Sequence, residues 1–276
     1  MPEILPYVYA SVSDVASYLN TTISSGSSDE AATLTAIYRA EKLIEDFCSR
    51  SFVVVNETRK YDGDGTESML GVDIMSIPSI VDESYTLTSS DYFLYPYGKY
   101  PKTKIVRTHG QCFTPGQQNI SITALFGYQE VALVTGKATS GTTSTIVDTT
   151  NRKEVDDYWN AYVVSVTAGT NIGKSRYITD FVYSTSTISV DTTTPFPVAI
   201  DSTSEYVIGK IPRAIRLATT RLASILLRTR GGAGMYPIVS ESQGDYSVSY
   251  DPDKPLSSID RETAAILASY VLTSFG

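Results

Sequence analysis

The chain has 276 residues, a formal net charge of −8 and two cysteines. That length allows about two domains of ~150 residues each and enough chain to bury a sizeable core. The acidic balance disfavours free binding to nucleic acid. Two cysteines cannot build a disulfide framework, which fits a reducing cytoplasmic origin. With no basic stretch ahead of an apolar N-terminal run, and no apolar run near ~18 residues, the chain reads as soluble and non-secreted. Tyrosine is abundant at 20 residues, against 8 Phe and 1 Trp. Tyrosine suits wet interfaces through its polar tip, and it also fills strands, so composition leaves both uses open.

The first predicted helix is short, Ser13 to Leu19, with Ser13 or Ser11 as cap. A polar linker, NTTISSGSSDE, separates it from a second helix over 29–49. Ser28 is placed to cap that helix, and Asp29 and Glu30 complement its N-terminal dipole. Ala36, Ile37, Ala40, Leu43, Ile44, Phe47 and Cys48 form its apolar arc, with Arg39, Lys42, Glu45 and Asp46 opposite. From Phe52 to Tyr128 the signals are strands and turns: VVVNETRKYD and ISITALF alternate, and DGDG between them is a turn.

Residues 131–208 change texture. Ser, Thr, Gly and Asp dominate, and short β-runs recur: TSTIVDT, AYVVSVTAG, SRYITDF, STISVDT and EYVIG. This segment reads as a small all-β module, barrel or sandwich, spliced into a surface loop, with Trp159 as its core anchor. Loop insertion is tolerated because closure entropy grows slowly with length.

A third helix follows over 212–230. At 100° per residue, Ala214, Ile215, Ala218, Leu222, Ile225 and Leu226 gather on one arc. Arg213, Arg216, Arg221, Arg228 and Arg230 fall on the other half, together with Leu217 and Leu227. A helix that only caps a core leaves its outer half polar, so arginines mixed with leucines point to a second contact surface. The last helix, 259–273, takes Ser257 or Ser258 as cap, with Asp260 and Glu262 in its first turn. Beyond Glu262 it carries no charge. Ala264, Ile266, Leu267, Ala268, Tyr270, Val271 and Leu272 spread round all sides, so it is either a core helix or one that packs on a partner.

Candidate chemistry is sparse. The single histidine, His109, cannot anchor a His-based metal site, and no Cys or Asp cluster surrounds it. His109 and Cys112 lie three apart in a turn-rich stretch that lacks an activating site for a nucleophile. DGDGTE (62–67) resembles part of a calcium loop, but Asp73 stands where the bidentate glutamate belongs, so a hairpin turn is the better reading. No phosphate-binding glycine loop or nucleophile elbow exists. GGAG (231–234) follows a helix rather than opening one, which suits a helix stop and not a phosphate cradle. No cofactor and no enzymatic activity are expected.

The stretch Ile211–Tyr250 is the most specific part of the chain. It combines the arginine helix, the glycine-rich break GGAGMYP and the run SESQGDYSVSY. Together with EDFCSRSF (45–52), YDGDGTESMLGVD (61–73), IPSIV (77–81), DYFLYP (91–96) and QNISITALFGY (118–128), this order resembles the head-to-tail connector (adaptor) proteins of tailed bacteriophages. The resemblance covers 5–130 and 210–260, and residues 131–208 depart from the compact family pattern. It implies a homo-oligomeric ring of about twelve copies with heterologous contacts that close by rotation. It also implies a portal protein and a tail or head-completion (stopper) protein as neighbours. Genomic DNA would pass through the channel without sequence-specific binding, and no membrane is involved. The chain would be made in the host cytoplasm and end in the virion neck.

The expected fold is therefore α+β. A helical connector-type host domain with β-hairpin elements spans 1–130 and 209–276, and the all-β module of 131–208 is inserted into it. The candidate assembly residues are Arg213, Arg216, Leu217, Arg221, Leu227, Arg228 and Arg230, with Leu267, Tyr270 and Val271 on the last helix. A carbohydrate-binding adhesin or capsid decoration protein using the β-module is the alternative.

Overall fold

β-branched and aromatic residues dominate the chain between Val55 and Gly209, and there they pair with one another. The computed structural model of the protein describes residues 8–230, 240–243, 246–249 and 259–272. The chain divides into two units, one from residues 1–49 with 213–276 and one from the continuous stretch 50–212.

The 50–212 unit holds two antiparallel sheets. The first contains β1 (Val55–Gly63), β2 (Ser68–Asp82), β3 (Tyr85–Leu87), β4 (Tyr92–Tyr95), β5 (Lys102–Arg107) and β6 (Gly116–Phe126). Its order is β1-β6-β2-β5-β4, with β3 paired to β2. Alternation decides which face is buried. Ile120, Ile122, Ala124 and Phe126 of β6 point inward, two residues apart, and meet Ile74, Ile80, Leu87, Ile105 and Phe113. The DGDGTE turn joins β1 to β2. Asp64 accepts the Thr66 backbone N–H at 2.9 Å and Asp62 accepts that of Gln118 at 2.6 Å, so the acids stabilise turns.

The second sheet contains β7 (Val134–Lys137), β8 (Ser140–Gly141), β9 (Thr145–Val147), β10 (Val163–Ala168), β11 (Ser175–Val182), β12 (Thr187–Val190) and β13 (Glu205–Gly209). Its order is β7-β13-β10-β11-β12-β9-β8. The two ends of that order are consecutive pieces of one segment, 134–141, which runs along β13 first and β9 next. The sheet therefore curls back on itself around Ile146, Val164, Ile178, Phe181, Ile188 and Tyr206, and Trp159 is buried in the same cluster. Val54, Met75 and Leu125 pack with Val207 of the second sheet, so the two sheets share one small apolar contact.

The other unit carries α1 (Val12–Leu19), α2 (Ser28–Cys48), α3 (Arg213–Arg230), α4 (Arg261–Leu267) and a hairpin of β14 (Ser240–Gln243) and β15 (Tyr246–Ser249). Ser11 caps α1 in a reciprocal box with Asp14. The cap of α2 is Ser27, one residue before the expected Ser28, and its Oγ accepts the Glu30 N–H at 3.1 Å. Leu34, Ala36, Ile37, Ala40, Ile44 and Cys48 are buried along α2, while Phe47 stays 39% exposed. The expected caps of the last helix, Ser257 and Ser258, lie outside the described residues, and Asp260 caps it instead. That helix is shorter than the expected 259–273. It stops at Leu267 and tightens into a 3-10 turn over Ala268–Tyr270.

The α+β expectation, a helical connector-type host domain with β-hairpin elements plus a small inserted module, is overturned. Among the described residues the protein is mostly β, with antiparallel sheets of six and seven strands and four α-helices, and helix makes up 25% of it. The physical reason lies in 52–128. The expected fold uses those strands as β-hairpin elements of a helical domain. Their period-2 apolar face instead closes a six-stranded sheet with a core of its own.

Candidate assembly interface

Helix α3 begins after the buried Ile211 and Pro212, where proline is tolerated because no intrahelical N–H is needed. Its buried stripe is Ile215, Ala218, Leu222, Ala223 and Leu226. Thr219, Thr220 and Ser224 are buried too, and each hydroxyl donates to the carbonyl four residues back, at 2.8–2.9 Å. That internal bond lets small polar residues enter an apolar helix contact without an unsatisfied group.

Two of the expected assembly arginines are spent inside the unit. Arg216 grips Asp14 of α1 through both ends of its fork, Nε to Oδ2 at 2.9 Å and Nη2 to Oδ1 at 2.6 Å. Burial alone would raise the Asp14 carboxyl, but the Arg216 fork and the Ser11 N–H outweigh it and hold the group below the usual value. Arg221 lies 3.2 Å from Asp260, the cap of α4, and 2.6 Å from Glu262 in the same first turn. It thereby ties α3 to the start of α4. The partners Asp14, Asp260 and Glu262 went unrecognised in the sequence. Their only signal was an excess of first-turn acids, which helix dipoles also explain.

Arg213 and Arg228 are exposed, and neither has an ion pair among the described residues. Leu217 is 48% exposed, and Leu227 is half-buried. These four fall within an arc of about 100° on the helix. Thr220 and Ser224 are buried inside that arc, so the exposed groups form two ends of one stripe: Arg213 with Leu217, and Leu227 with Arg228. The side chain of Arg230 lies outside the described residues. Leu267 is fully buried, and Ile266, Tyr270, Val271 and Leu272 are half-buried. The apolar C-terminal turn is thus only partly covered by its own chain.

The other candidates do not converge. His109 sits in a loop at φ 57° and is exposed, as is the free thiol of Cys112. Among the described residues, no group of three or more His, Cys, Asp or Glu is arranged to hold a metal ion, and no helix is long and apolar enough to cross a membrane. No protein-family profile matches the chain, and no curated protein sequence matches it significantly.

Proposed function

We propose that the chain is a structural protein of a phage-type virion neck. Copies of it form a ring between the portal and the tail, around the path of the genomic DNA. The observation that carries this reading is Leu217, 48% exposed on α3 beside Arg213, an arginine with no acid of its own among the described residues. A half-wet leucine next to an unneutralised guanidinium gains on meeting an apolar, carboxylate-bearing partner. The half-buried Tyr270, Val271 and Leu272 add apolar surface in the same unit. The order of motifs around SESQGDYSVSY, similar to that of phage connector proteins, gives the partner its class. This reading concerns assembly and does not depend on a helical connector fold.

The test is Leu217→Ser in the full chain. The side chain contributes little to its own fold, so unfolding should shift by less than about 0.5 kcal/mol. Assembly should weaken, because an interface leucine contributes roughly 1.5–3 kcal/mol when fully desolvated. Sedimentation velocity and joining of heads to tails read out the effect. Assembly indistinguishable from that of the unchanged protein would sink the reading.

A further inference from the structure

The hairpin β14–β15 forms a sheet of its own, and among the described residues no third strand joins it. Its register is uninterrupted: Ser240 opposite Ser249, Glu241 opposite Val248, Ser242 opposite Ser247 and Gln243 opposite Tyr246.

A two-stranded hairpin is marginal in water, and each of its outer edges presents unpaired N–H and C=O groups. Proteins usually guard such edges with proline, lysine or a bulge. Neither strand contains a proline or lysine, and the ladder has no bulge. Among the described residues neither outer edge is paired with another strand, which leaves both available for strand addition.

We infer that the hairpin pairs with the hairpin of a second copy, the β14 edge of one against the β15 edge of the next. This rests on the ring reading above and states how that ring closes. One free edge is a β14 and the other a β15, each four residues long and antiparallel to its partner. Joining unlike edges continues the antiparallel alternation from copy to copy. A single strand from another protein would cover one edge and leave the other open. Unlike-edge pairing is heterologous, so repetition round an axis closes a band with no edge remaining.

Mixed cross-linking of the full chain tests this. In a Cys112→Ser background, protein carrying Ser240→Cys or Ser242→Cys is mixed with protein carrying Ser247→Cys or Ser249→Cys. The mixture is oxidised mildly at high protein concentration, with sedimentation run in parallel. Disulfide-linked dimers should form in at least one mixture at several times the yield of either protein alone. Equal dimer yield from a β14 variant by itself would mean that like edges pair, which overturns the inference. Rings on sedimentation with no mixed cross-link would overturn the inference and leave the ring reading standing. A purely monomeric protein would overturn both.

Discussion

Glu41 shows how one side chain couples the fold to pH. It is buried in α2, and its Oε1 accepts the backbone N–H groups of Val8 and Tyr9 at 2.8 and 2.6 Å. Burial pushes its carboxyl up to about 8, against those two donors, which lower it. The folded chain then holds a proton that the unfolded chain releases above about 4.5, so stability falls as pH rises from about 4.5 to about 8. The loss across that window should be on the order of a few kcal/mol. Glu41→Gln keeps an oxygen for both N–H groups and cannot ionise. It should flatten the slope and leave the variant at least as stable as the natural chain at pH 9, read by urea unfolding across the range. An unchanged slope would show that Glu41 does not carry the effect.

A second residue-scale constraint sits in the curled sheet. Asp148 is fully buried and accepts the Tyr206 hydroxyl at 2.8 Å and the Asn151 N–H at 2.8 Å. A Cβ on Gly136 would stand 2.3 Å from the Tyr206 ring and 2.8 Å from Asp148 Oδ2. Gly136→Ala must therefore displace that pair and should cost about 1–3 kcal/mol, as overpacking does. Gly136 carries no visible sequence signal, because the atoms it must avoid come from residues 12 and 70 positions away.

At the scale of elements, α3 has two kinds of arginine. Arg221 couples α3 to the cap of α4, and both partners are partly solvated, so the link is worth about 1 kcal/mol after screening. Arg221→Ala should loosen α4 and the Leu272 N–H bond to the Cys48 carbonyl, 2.9 Å in the structure. Faster amide exchange at Leu272, with little change in α2, is the expected result, and equal exchange in both proteins would refute the coupling. Helix existence was legible because α2 and α3 keep a sustained 3.6-residue apolar period between clear boundaries. Which arginines stay free was not legible. A helical wheel shows the side of a helix but not the acids that α1 and α4 bring to it. The all-round apolar character of the last helix also misled on its length: it ends at Leu267, and only Thr263 and Leu267 are buried within it.

At the scale of the whole molecule, the residues that fold as one β unit run continuously from Arg50 to Pro212. They contain both sheets, both sheet cores and the shared Val54–Met75–Leu125–Val207 contact. Residues 50–212 expressed alone should therefore fold, with a β-type circular dichroism spectrum and one cooperative thermal transition. A chain that stays unstructured would show that the stretch depends on the remainder of the protein.

The strand-rich stretches and the two long helices are readable from apolar spacing, since period 2 and period 3.6 are local properties of the chain. The sequence also marks 131–208 as rich in short strands and Trp159 as a core anchor, and Trp159 is buried. That 52–128 builds a full sheet, where hairpins on helices were expected, follows from long-range pairing and not from local spacing. Strand order is set by pairings across tens of residues, such as β1 with β6, and alternation encodes which face is buried but not which strand lies alongside. For the same reason, the bond of Arg216 to Asp14, 202 positions apart, depends on helix packing that no local pattern contains.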